Sequence, residues 1–393
     1  MRDAAALVEP ITTAQRIDVT ALVEQRVRAV RVGHRPQRPL GPMVQGHPPQ
    51  RAMVLAPMLF NLCGVAHAVA AAGAIEAASG VEVSPAEASL RRIAVLAEAM
   101  VGHGWTFAID APHRLGLAPP AEQLAALKRA TDGLGAMLGR IQPGGRRQGP
   151  DPASLHRAVD HIEDALADLI GLAADEDASG IEALVAAGAC PAARVVRYMR
   201  SVWPAGQEGC AMLLEERPAA WWVQQLQQPG FTRCPTLDGD PAETGPFARL
   251  AHDPALAALV RVYGAVPWVR MAARALDAAW LPAQLRLEID DLGPVDAVPV
   301  PQTATGAGVG VVETARGTLV HGCWLEGGRI ADWRIVAPTE WTFHPDGALT
   351  QLLLDLPDDH ALPDRMAVAV TCLDACVPVA LAIRPVAEEA GDA

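Results

Sequence analysis

The sequence predicts a single-domain α+β fold over residues 1–393 that is mainly α, with buried central helices and small antiparallel sheets. Residues 53–78 and 86–111 are long, very apolar stretches, and their lack of a polar face indicates helices buried on all sides. Apolar residues within 16–32 recur at strand-like spacing. From residue 285 onward, short β-type segments alternate with glycine turns. A chain of this length, with 51% hydrophobic residues, can bury the core that such a fold needs.

Each further element is predicted from periodicity and from the residues that begin or end it. Residues 16–32 indicate a hairpin, and the proline- and glycine-rich residues 34–51 indicate a loop after it. Ser154 or Asp151 can cap an acidic helix, whose charges between 160 and 177 are expected on a solvated face. The predicted helices are 121–139, 153–173, 268–280 and 349–356, and the predicted strands are 285–289, 308–312, 317–324 and 329–336.

Charge and sequence pattern exclude several classes of function. The formal net charge of -13 argues against binding to nucleic acid or to an anionic membrane, because phosphate contacts need clustered lysine and arginine. The longest apolar run, residues 65–75, is too short to cross a bilayer, and the N-terminal residues lack the order of a secretory signal. Gly306-Ala-Gly-Val-Gly310 precedes a strand, so no dinucleotide site is predicted. We therefore expect a cytoplasmic protein without a membrane span.

The cysteines indicate thiol chemistry more than a disulfide framework. Their number is odd and no CxxC occurs, which disfavours both disulfide pairing and the commonest zinc sites. Cys63 begins the apolar helix, and His67 follows four residues later on the same helix face. A histidine at this spacing can hydrogen-bond a thiolate. Considered alone, however, the pair is more simply explained as a core cysteine and a satisfied core histidine.

The sequence around this pair resembles the first metal-binding segment of nickel-iron hydrogenase large subunits. Residues 46–81 match that segment without a gap. In this register Cys63 corresponds to the second cysteine of the family's CxxC motif, and His67 to the histidine beside it. Phe60 stands in place of the first cysteine, and Met58 in place of a nearby arginine.

A second segment, residues 313–341, is similar to the family's Glu-Ala-Pro-Arg-Gly strand and to the Thr-Trp segment that follows it. The matching residues begin at Glu313-Thr-Ala-Arg316-Gly317 and end at Trp341. An ordinary glycine-turned hairpin would not explain two family segments in the family's order. The resemblance implies that Arg316 reaches over the diatomic ligands of an iron ion, with Glu313 in the surroundings of the site.

The C-terminal segment resembles the family's closing Asp-Pro-Cys-x-x-Cys-x-x-His motif in degraded form, and two registers remain open. If Asp374 matches the family's aspartate, Cys376 is the first cysteine of the pair and Val379 replaces the second. In the other register Cys376 is the second cysteine and Leu373 replaces the first. In both registers a single family cysteine remains here, and the closing histidine is missing.

Further departures from the family affect proton transfer and metal binding. Gln15 stands where the enzymes carry the glutamate that relays protons, and an amide cannot do that work. Gly41 replaces a carboxylate associated with the family's magnesium site, and Gly102 replaces an aspartate. The central region, about 140–281, is reduced or divergent relative to the enzymes.

The resemblance implies a degenerate large-subunit homologue, of the type of the hydrogenase expression/formation proteins HupK and HoxV, with the large-subunit fold. Cys63 and Cys376, with Cys372 as an additional candidate, would transiently bind an iron that carries cyanide and carbon monoxide, because soft thiolates suit iron. Nickel is not expected, because only part of its usual set of four thiolates remains.

Three further residues are implied in the surroundings of that iron. His67 would tune the bound thiolate by hydrogen bonding, and Arg316 would make charge-assisted contacts to the cyanide nitrogens. Asp374, if it pairs with Arg316, would hold the guanidinium in place.

The partners implied are the hydrogenase maturation chaperones and the apo large subunit, and no hydrogenase activity is expected of the chain itself. One alternative is a metal-free assembly chaperone that binds hydrogenase maturation proteins, with Cys63 and Cys376 as core residues. Another is a hydrogenase subunit with altered ligands, which Phe60 and Gln15 disfavour.

Overall fold

Helices form most of the described chain, as predicted. The computed structural model describes residues 16–33, 40–60, 62–145, 149–203, 212–293 and 304–386. The helices are α1 (Leu40–Val44), α2 (Gln50–Leu59), α3 (Gly64–Ser79), α4 (Pro85–Trp105), α5 (Ala111–Leu115), α6 (Ala121–Leu138), α7 (Pro152–Ile170), α8 (Ala178–Ala187), α9 (Pro191–Val202), α10 (Ala219–Leu226), α11 (Pro246–Arg249), α12 (Pro254–Tyr263), α13 (Pro267–Asp290), α14 (Pro338–Thr342), α15 (Ala348–Leu353) and α16 (Leu362–Leu373). The strands are β1 (Ile17–Glu24), β2 (Arg26–Val32), β3 (Met212–Leu213), β4 (Ala242–Glu243), β5 (Gly306–Thr314), β6 (Gly317–Glu326), β7 (Arg329–Val336) and β8 (Val379–Pro385).

The long helices share one extended hydrophobic core. Helix α4 contacts α6 and α13, and α7 packs against the same two helices. Leu90 of α4, Leu127 of α6 and Leu285 of α13 are completely buried in this core. The predicted acidic helix is α7, which Asp151 caps by accepting hydrogen bonds from the amides of Ala153 and Ser154. Helices α3 and α4 are buried along most of their length, as predicted, whereas α2 is partly exposed, with Val54 and Met58 exposed by 48% and 67%.

The prediction of a strand at residues 285–289 is wrong. These residues form the last turns of α13, which extends to Asp290 and contains Pro282 in its interior. Leu285 and Ile289 are both buried. They are four residues apart, which places them on one helix face as well as on one strand face. The alternation of apolar and polar residues is therefore ambiguous here, and packing against the core decides for the helix.

The stretch 53–78, predicted as one long helix, is divided into α2 and α3. The break lies between Phe60 and Cys63, and Cys63 occupies the N-cap position of α3. The carboxylate of Glu98, on α4, accepts hydrogen bonds from the amides of Val65 and Ala66 at 2.7 and 2.9 Å. Because these amides have no partner within their own helix, a carboxylate from elsewhere favours a new helix start at this point. The break sets Cys63 at the beginning of a helix rather than within one.

The predicted glycine-turned strands form an antiparallel sheet in the order β5-β6-β7, packed on α3. The glycines of Gly306-Ala-Gly-Val-Gly310 face this helix. A Cβ atom at Gly308 would overlap the amide nitrogen of Ala78, and one at Gly310 would overlap the carbonyl oxygen of Ala70. The GxGxG pattern therefore allows β5 to approach the backbone of α3 closely. This packing role agrees with the prediction that the pattern does not form a dinucleotide site.

Replacing Gly310 with alanine is expected to lower the free energy of unfolding by about 3 kcal/mol, at the upper end of the cost of overpacking, because the new methyl group would meet backbone atoms that cannot rotate away. Gly133→Ala is the matched control, since a Cβ there meets nothing within 4 Å on α6. That change should stabilise the protein by about 0.5–1 kcal/mol. Urea titration of both variants measures the contrast, and equal stabilities would contradict the close packing.

The two ends of the described chain meet in a second sheet, in the order β2-β1-β8. The predicted hairpin is confirmed, because β1 and β2 pair antiparallel. The pairing of β1 with β8 is parallel, however, so this sheet is mixed rather than purely antiparallel. A strand that arrives from the far end of the chain need not reverse direction, as a hairpin partner must. This pairing brings the C-terminal cysteine segment beside the core.

Among the residues that the structure describes, no single helix is both long and apolar enough to cross a membrane. Helices α8 and α9, which are bent by 90° relative to each other, meet the length and composition criteria only when taken together.

Candidate functional site

A cavity of about 320 Å³ brings together residues from five separate parts of the chain. The α2–α3 break and the start of α3 supply Phe60, Leu62, Cys63 and His67. Helix α4 supplies Val95, Glu98, Ala99 and Gly102. The remaining walls are the β5–β6 turn with Thr314, Ala315, Arg316 and Leu319, the segment from Ile335 to Thr339, and the C-terminal Cys376 and Val377. Cys63, His67, Arg316 and Cys376 thus line the same cavity, while most other walls are apolar.

The two cysteines of the cavity are half-buried thiols that are not joined in a disulfide. Cys63 is held by the start of α3, where its carbonyl oxygen accepts the hydrogen bond from the amide of His67 at 3.0 Å. The amide of Cys376 donates to Thr339 Oγ1 at 3.3 Å. The hydroxyl group of Thr339 lies 3.1 Å from Cys376 Sγ and can donate its proton to the sulfur. Both thiols are therefore held in defined positions and face the same space.

His67 is confined by two other rings. Its Nδ1 lies 2.8 Å from Nε2 of His321, a completely buried residue of β6. The ring of Phe60 stacks face to face on the imidazole, with centroids 3.7 Å apart and planes inclined by 4°. Phe60, which in the predicted register takes the place of the family's first cysteine, therefore forms one wall of the histidine site. Because Nδ1 is directed at His321, any hydrogen bond from His67 to a thiolate must come from Nε2.

Arg316 carries a buried positive charge into the cavity. Its Nε lies 3.2 Å from Asp374 Oδ2, so the ion pair expected from the sequence is present, although the two groups are not aligned for a hydrogen bond. Burial alone would lower the pKa of Arg316, but the negative charges of Asp374 and of the Cys376 and Cys63 thiolates raise it above its ordinary value. Nη2 of Arg316 is buried and makes no hydrogen bond within the described chain. A buried donor beside a cavity is suited to an acceptor that enters from outside the chain.

Asp374 holds this arginine from a strained backbone position. Its φ of 50° lies in the left-handed region, directly after the end of α16. The carboxylate accepts a hydrogen bond from Thr106 Oγ1 at 3.0 Å and lies 3.2 Å from Arg274 Nη1. Burial opposes ionisation, but Arg316 and Arg274 together hold the pKa of Asp374 below its ordinary value. Thr106 begins a π-helical turn, Thr106–Asp110, that joins α4 to α5.

A network of buried charges continues from Asp374 to the surface. Nη1 of Arg274 lies 3.2 Å from Nδ1 of His103, whose Nε2 lies 2.9 Å from Asp277. Asp277 accepts two hydrogen bonds from Arg249, at 3.0 and 2.8 Å. Burial lowers the pKa of His103, so the ring is neutral, and because Asp277 can only accept, the His103 proton lies on Nε2. This network anchors Arg316 through Asp374 and Arg274.

Glu313 lies at the outer end of that network and not in the cavity. Its carboxylate accepts hydrogen bonds from Arg249 Nη1 at 2.7 Å and from the hydroxyl of Thr318. About half of its side chain is exposed. The sequence did not single out Arg249, Arg274 or Asp277 as functional. A usable signal was present, because charged residues at helical spacing within the apolar α13 stretch must be paired when they are buried.

Glu98 is a cavity residue that sequence reasoning missed. It lies within the apolar sequence Ile93-Ala-Val-Leu-Ala-Glu98-Ala-Met-Val101, where an isolated acid is itself a signal. Burial raises the pKa of Glu98 to about 7, although the amides of Ala66 and Val65 and the charge of Arg316 oppose the change. Near neutral pH the cavity therefore contains an acid that is close to half ionised.

Cys372 does not reach this cavity. It is buried on α16, where its thiol donates to the carbonyl oxygen of Ala369 at 3.1 Å, and burial raises its pKa to about 12. It lines a separate small space beside Glu243 and Arg270. A buried thiol with a raised pKa is a poor metal ligand because the thiolate form is disfavoured.

The two glycines that the sequence predicts in place of family carboxylates, Gly41 and Gly102, lie at close contacts. A Cβ at Gly102 would lie 2.8 Å from the Cβ of Ala315, and one at Gly41 would lie 2.8 Å from the carbonyl oxygen of Trp333. Larger residues at these positions would therefore require the neighbouring β-turn or strand to shift. Gln15 lies outside the described residues.

The chain has sequence relatives among known proteins. No family model matches the chain. It is 31% identical over 407 aligned positions to the hydrogenase expression/formation protein HupK of Bradyrhizobium diazoefficiens, with 96% of this chain and 98% of that protein covered. It is 30% identical to the hydrogenase expression/formation protein HoxV of Cupriavidus necator, with 92% and 93% covered.

Among solved structures, the chain is similar to the nickel-iron-selenium hydrogenase of Desulfovibrio vulgaris Hildenborough, with a TM-score of 0.69, 16% identity, and 91% and 95% of the two chains covered. The nickel-iron-selenium hydrogenase of Desulfomicrobium baculatum gives a TM-score of 0.67 at 16% identity, also with 91% and 95% covered. At such low identity this likeness concerns the fold alone, and it confirms the predicted fold class. The chain belongs to the family of hydrogenase expression/formation proteins and has the fold of nickel-iron hydrogenase large subunits.

Proposed function

We propose that this chain is a hydrogenase maturation protein that binds the iron-cyanide-carbonyl unit of nickel-iron hydrogenase as a substrate and passes it on. One observation carries the proposal: Cys63 and Cys376, from opposite ends of the chain, line one cavity together with the buried Arg316. Asp374 holds the Arg316 guanidinium, and the cation is thereby kept beside both thiols. The relatives' names, which refer to hydrogenase expression and formation, support the maturation role.

The chemistry of the cavity fits such a unit. Thiolates are soft ligands that bind iron well, and the cavity offers two of them. Arg316 Nη2 is buried, makes no hydrogen bond within the described chain and lies 4.0 Å from Asp110 Oδ2, so it can still donate to the cyanide nitrogens. The apolar walls exclude water and would accommodate the uncharged carbonyl ligand.

The incomplete ligand set favours transfer over permanent binding. Among the described residues, no group of three or more histidine, cysteine, aspartate or glutamate side chains could hold a metal ion. The two thiolates are fewer than the four that hold the nickel-iron centre of the enzymes, and they leave nickel without its usual ligands. We therefore propose that nickel is not bound and that the chain has no hydrogenase activity. Maturation chaperones and the apo large subunit, in the cytoplasm, are the proposed partners for delivery and transfer.

The test is infrared spectroscopy of protein purified without oxygen from cells that express the hydrogenase maturation genes. We expect cyanide and carbonyl stretching bands, with about one iron and no nickel per chain. Cys63→Ser and Cys376→Ser should each abolish the bands, because a hydroxyl group is a much weaker iron ligand than a thiolate. Cys372→Ser and Cys234→Ser are matched controls outside the cavity and should retain them.

A second candidate is a metal-free assembly chaperone that binds hydrogenase maturation proteins. The absence of a three-residue ligand group among the described residues favours this candidate. It predicts folded protein without the infrared bands, together with normal maturation of hydrogenase in cells that carry Cys63→Ser or Cys376→Ser. Bands that disappear in both cavity variants but persist in both controls would exclude it.

A further inference from the structure

The buried histidine His321 makes a contact that the proposed function does not yet use. It is completely buried on β6, and the only hydrogen-bonding contact of its side chain within the described chain joins Nε2 to His67 Nδ1 at 2.8 Å. Trp333 packs against it edge to face, with ring centroids 5.7 Å apart. One of the two nitrogens in the 2.8 Å contact must carry the proton, so the tautomer of each ring determines that of the other.

The surroundings of His321 decide which nitrogen donates. Burial lowers the pKa of His321 to about 3, so the ring is neutral and carries one proton. Its Nδ1 is buried without a hydrogen-bond partner within the described chain. A proton on Nδ1 would leave a buried N–H donor unsatisfied, whereas a proton on Nε2 leaves only an unsatisfied acceptor. Buried N–H groups without a partner are the rarer of the two in proteins.

We propose that His321 is a positioning residue that donates Nε2–H to His67 Nδ1 and thereby fixes the proton of His67 on Nε2. His67 lines the cavity, and its Nδ1 is directed away to His321. The Nε2–H group therefore becomes the hydrogen-bond donor that His67 offers to a thiolate or to a ligand in the cavity. The stacked ring of Phe60 fixes the plane of the imidazole, so the direction of this donor is fixed as well. The role of this Nε2–H donor toward a bound ligand rests on the proposed function, but the tautomer of His67 does not.

The test is nitrogen NMR of metal-free protein labelled with 15N-histidine, in which His67→Gln identifies the His67 signals. We expect a protonated, pyrrole-type Nε2 and an unprotonated, pyridine-type Nδ1 for His67 at neutral pH. In His321→Phe, which keeps a ring but removes the donor, His67 should no longer be confined to the tautomer with its proton on Nε2. His321→Gln offers an amide N–H and should restore it. His161→Phe, an exposed change on α7, is the control and should leave the His67 signals unchanged.

A pyrrole-type Nδ1 on His67 in the unmodified protein would overturn the proposal, and so would unchanged His67 signals in folded His321→Phe. Because these spectra are recorded without iron, failure of the proposed iron-binding function would leave the result intact. If infrared bands are also present, the cyanide bands should shift in His321→Phe and return toward their original positions in His321→Gln. Bands that persist while the tautomer changes would show that the cavity binds the unit without depending on this donor.

Discussion

Replacing Asp374 with asparagine is expected to lower the free energy of unfolding by about 3–5 kcal/mol, because it removes one partner from a buried group of charges. The Asp374 carboxylate lies 3.2 Å from both Arg316 and Arg274, and all three side chains are buried. Without its charge, two guanidinium groups would remain close together in the interior. Asparagine also tolerates the left-handed backbone conformation, so the backbone at φ 50° contributes little to the expected loss.

Urea titration of Asp374→Asn measures this loss, with Asp132→Asn as the matched control. Asp132 pairs with Lys128 on the surface of α6, and both side chains are more than half exposed. Removing an exposed pair of this spacing should cost only about 0.3–0.5 kcal/mol. A loss for Asp374→Asn no greater than that of the control would mean that Arg316 is held by packing and not by this carboxylate.

Glu98 is expected to make the protein less stable as the pH rises from about 4.5 to about 7. Its ordinary pKa is 4.5, and burial raises it to about 7 in the folded chain. A carboxyl group with a raised folded pKa favours folding while it is protonated in both states, and this contribution is lost as pH rises through the folded pKa. Because the side chain is partly accessible from the cavity, we expect a loss of about 1–3 kcal/mol between pH 4.5 and 8.

The measurement compares the unmodified protein with Glu98→Gln by urea titration at pH 5 and pH 8. Glutamine does not ionise and retains one oxygen that can accept from the amides of α3, so the variant should lack this part of the pH dependence. Relative to the unmodified protein, Glu98→Gln should therefore gain stability at pH 8. Glu122→Gln, an exposed change on α6, controls for loss of a glutamate. A constant difference between Glu98→Gln and the unmodified protein at the two pH values would refute the raised pKa.

Much of the fold could be predicted because its signals are local. The apolar stretches became α3 and α4, the glycine-turned segments became β5, β6 and β7, and Asp151 caps α7 as one of two predicted candidates. The errors occurred where the local pattern allows two structures. Residues 285–289 alternate like a strand but are spaced equally well for a helix. In residues 53–78 the apolar pattern continues across the break at Cys63, although Pro57 and Gly64 lie close to it.

The candidate site was predicted in part, through motifs that resemble a family more than through any property of single residues. Cys63, His67, Arg316 and Cys376 were all named from the sequence, and the structure places them around one cavity. Glu98 was not recognised as a partner of the start of α3, and His321 was not recognised as a partner of His67. Each is a single polar residue in an apolar segment, and its partner belongs to an element distant in sequence.

The sequence by itself determined most of the long helices, the strands β1, β2, β5, β6 and β7, and the glycines of β5, because hydrophobic periodicity and turn residues act over a few neighbouring positions. Only the tertiary structure decided that Cys376 lines the same cavity as Cys63, that Cys372 does not reach it, and that Arg316 is anchored through Asp374 and Arg274. These outcomes depend on the parallel pairing of β1 with β8 and on the burial of charges. Charges withdrawn from water must find their partners wherever the packed chain brings them together.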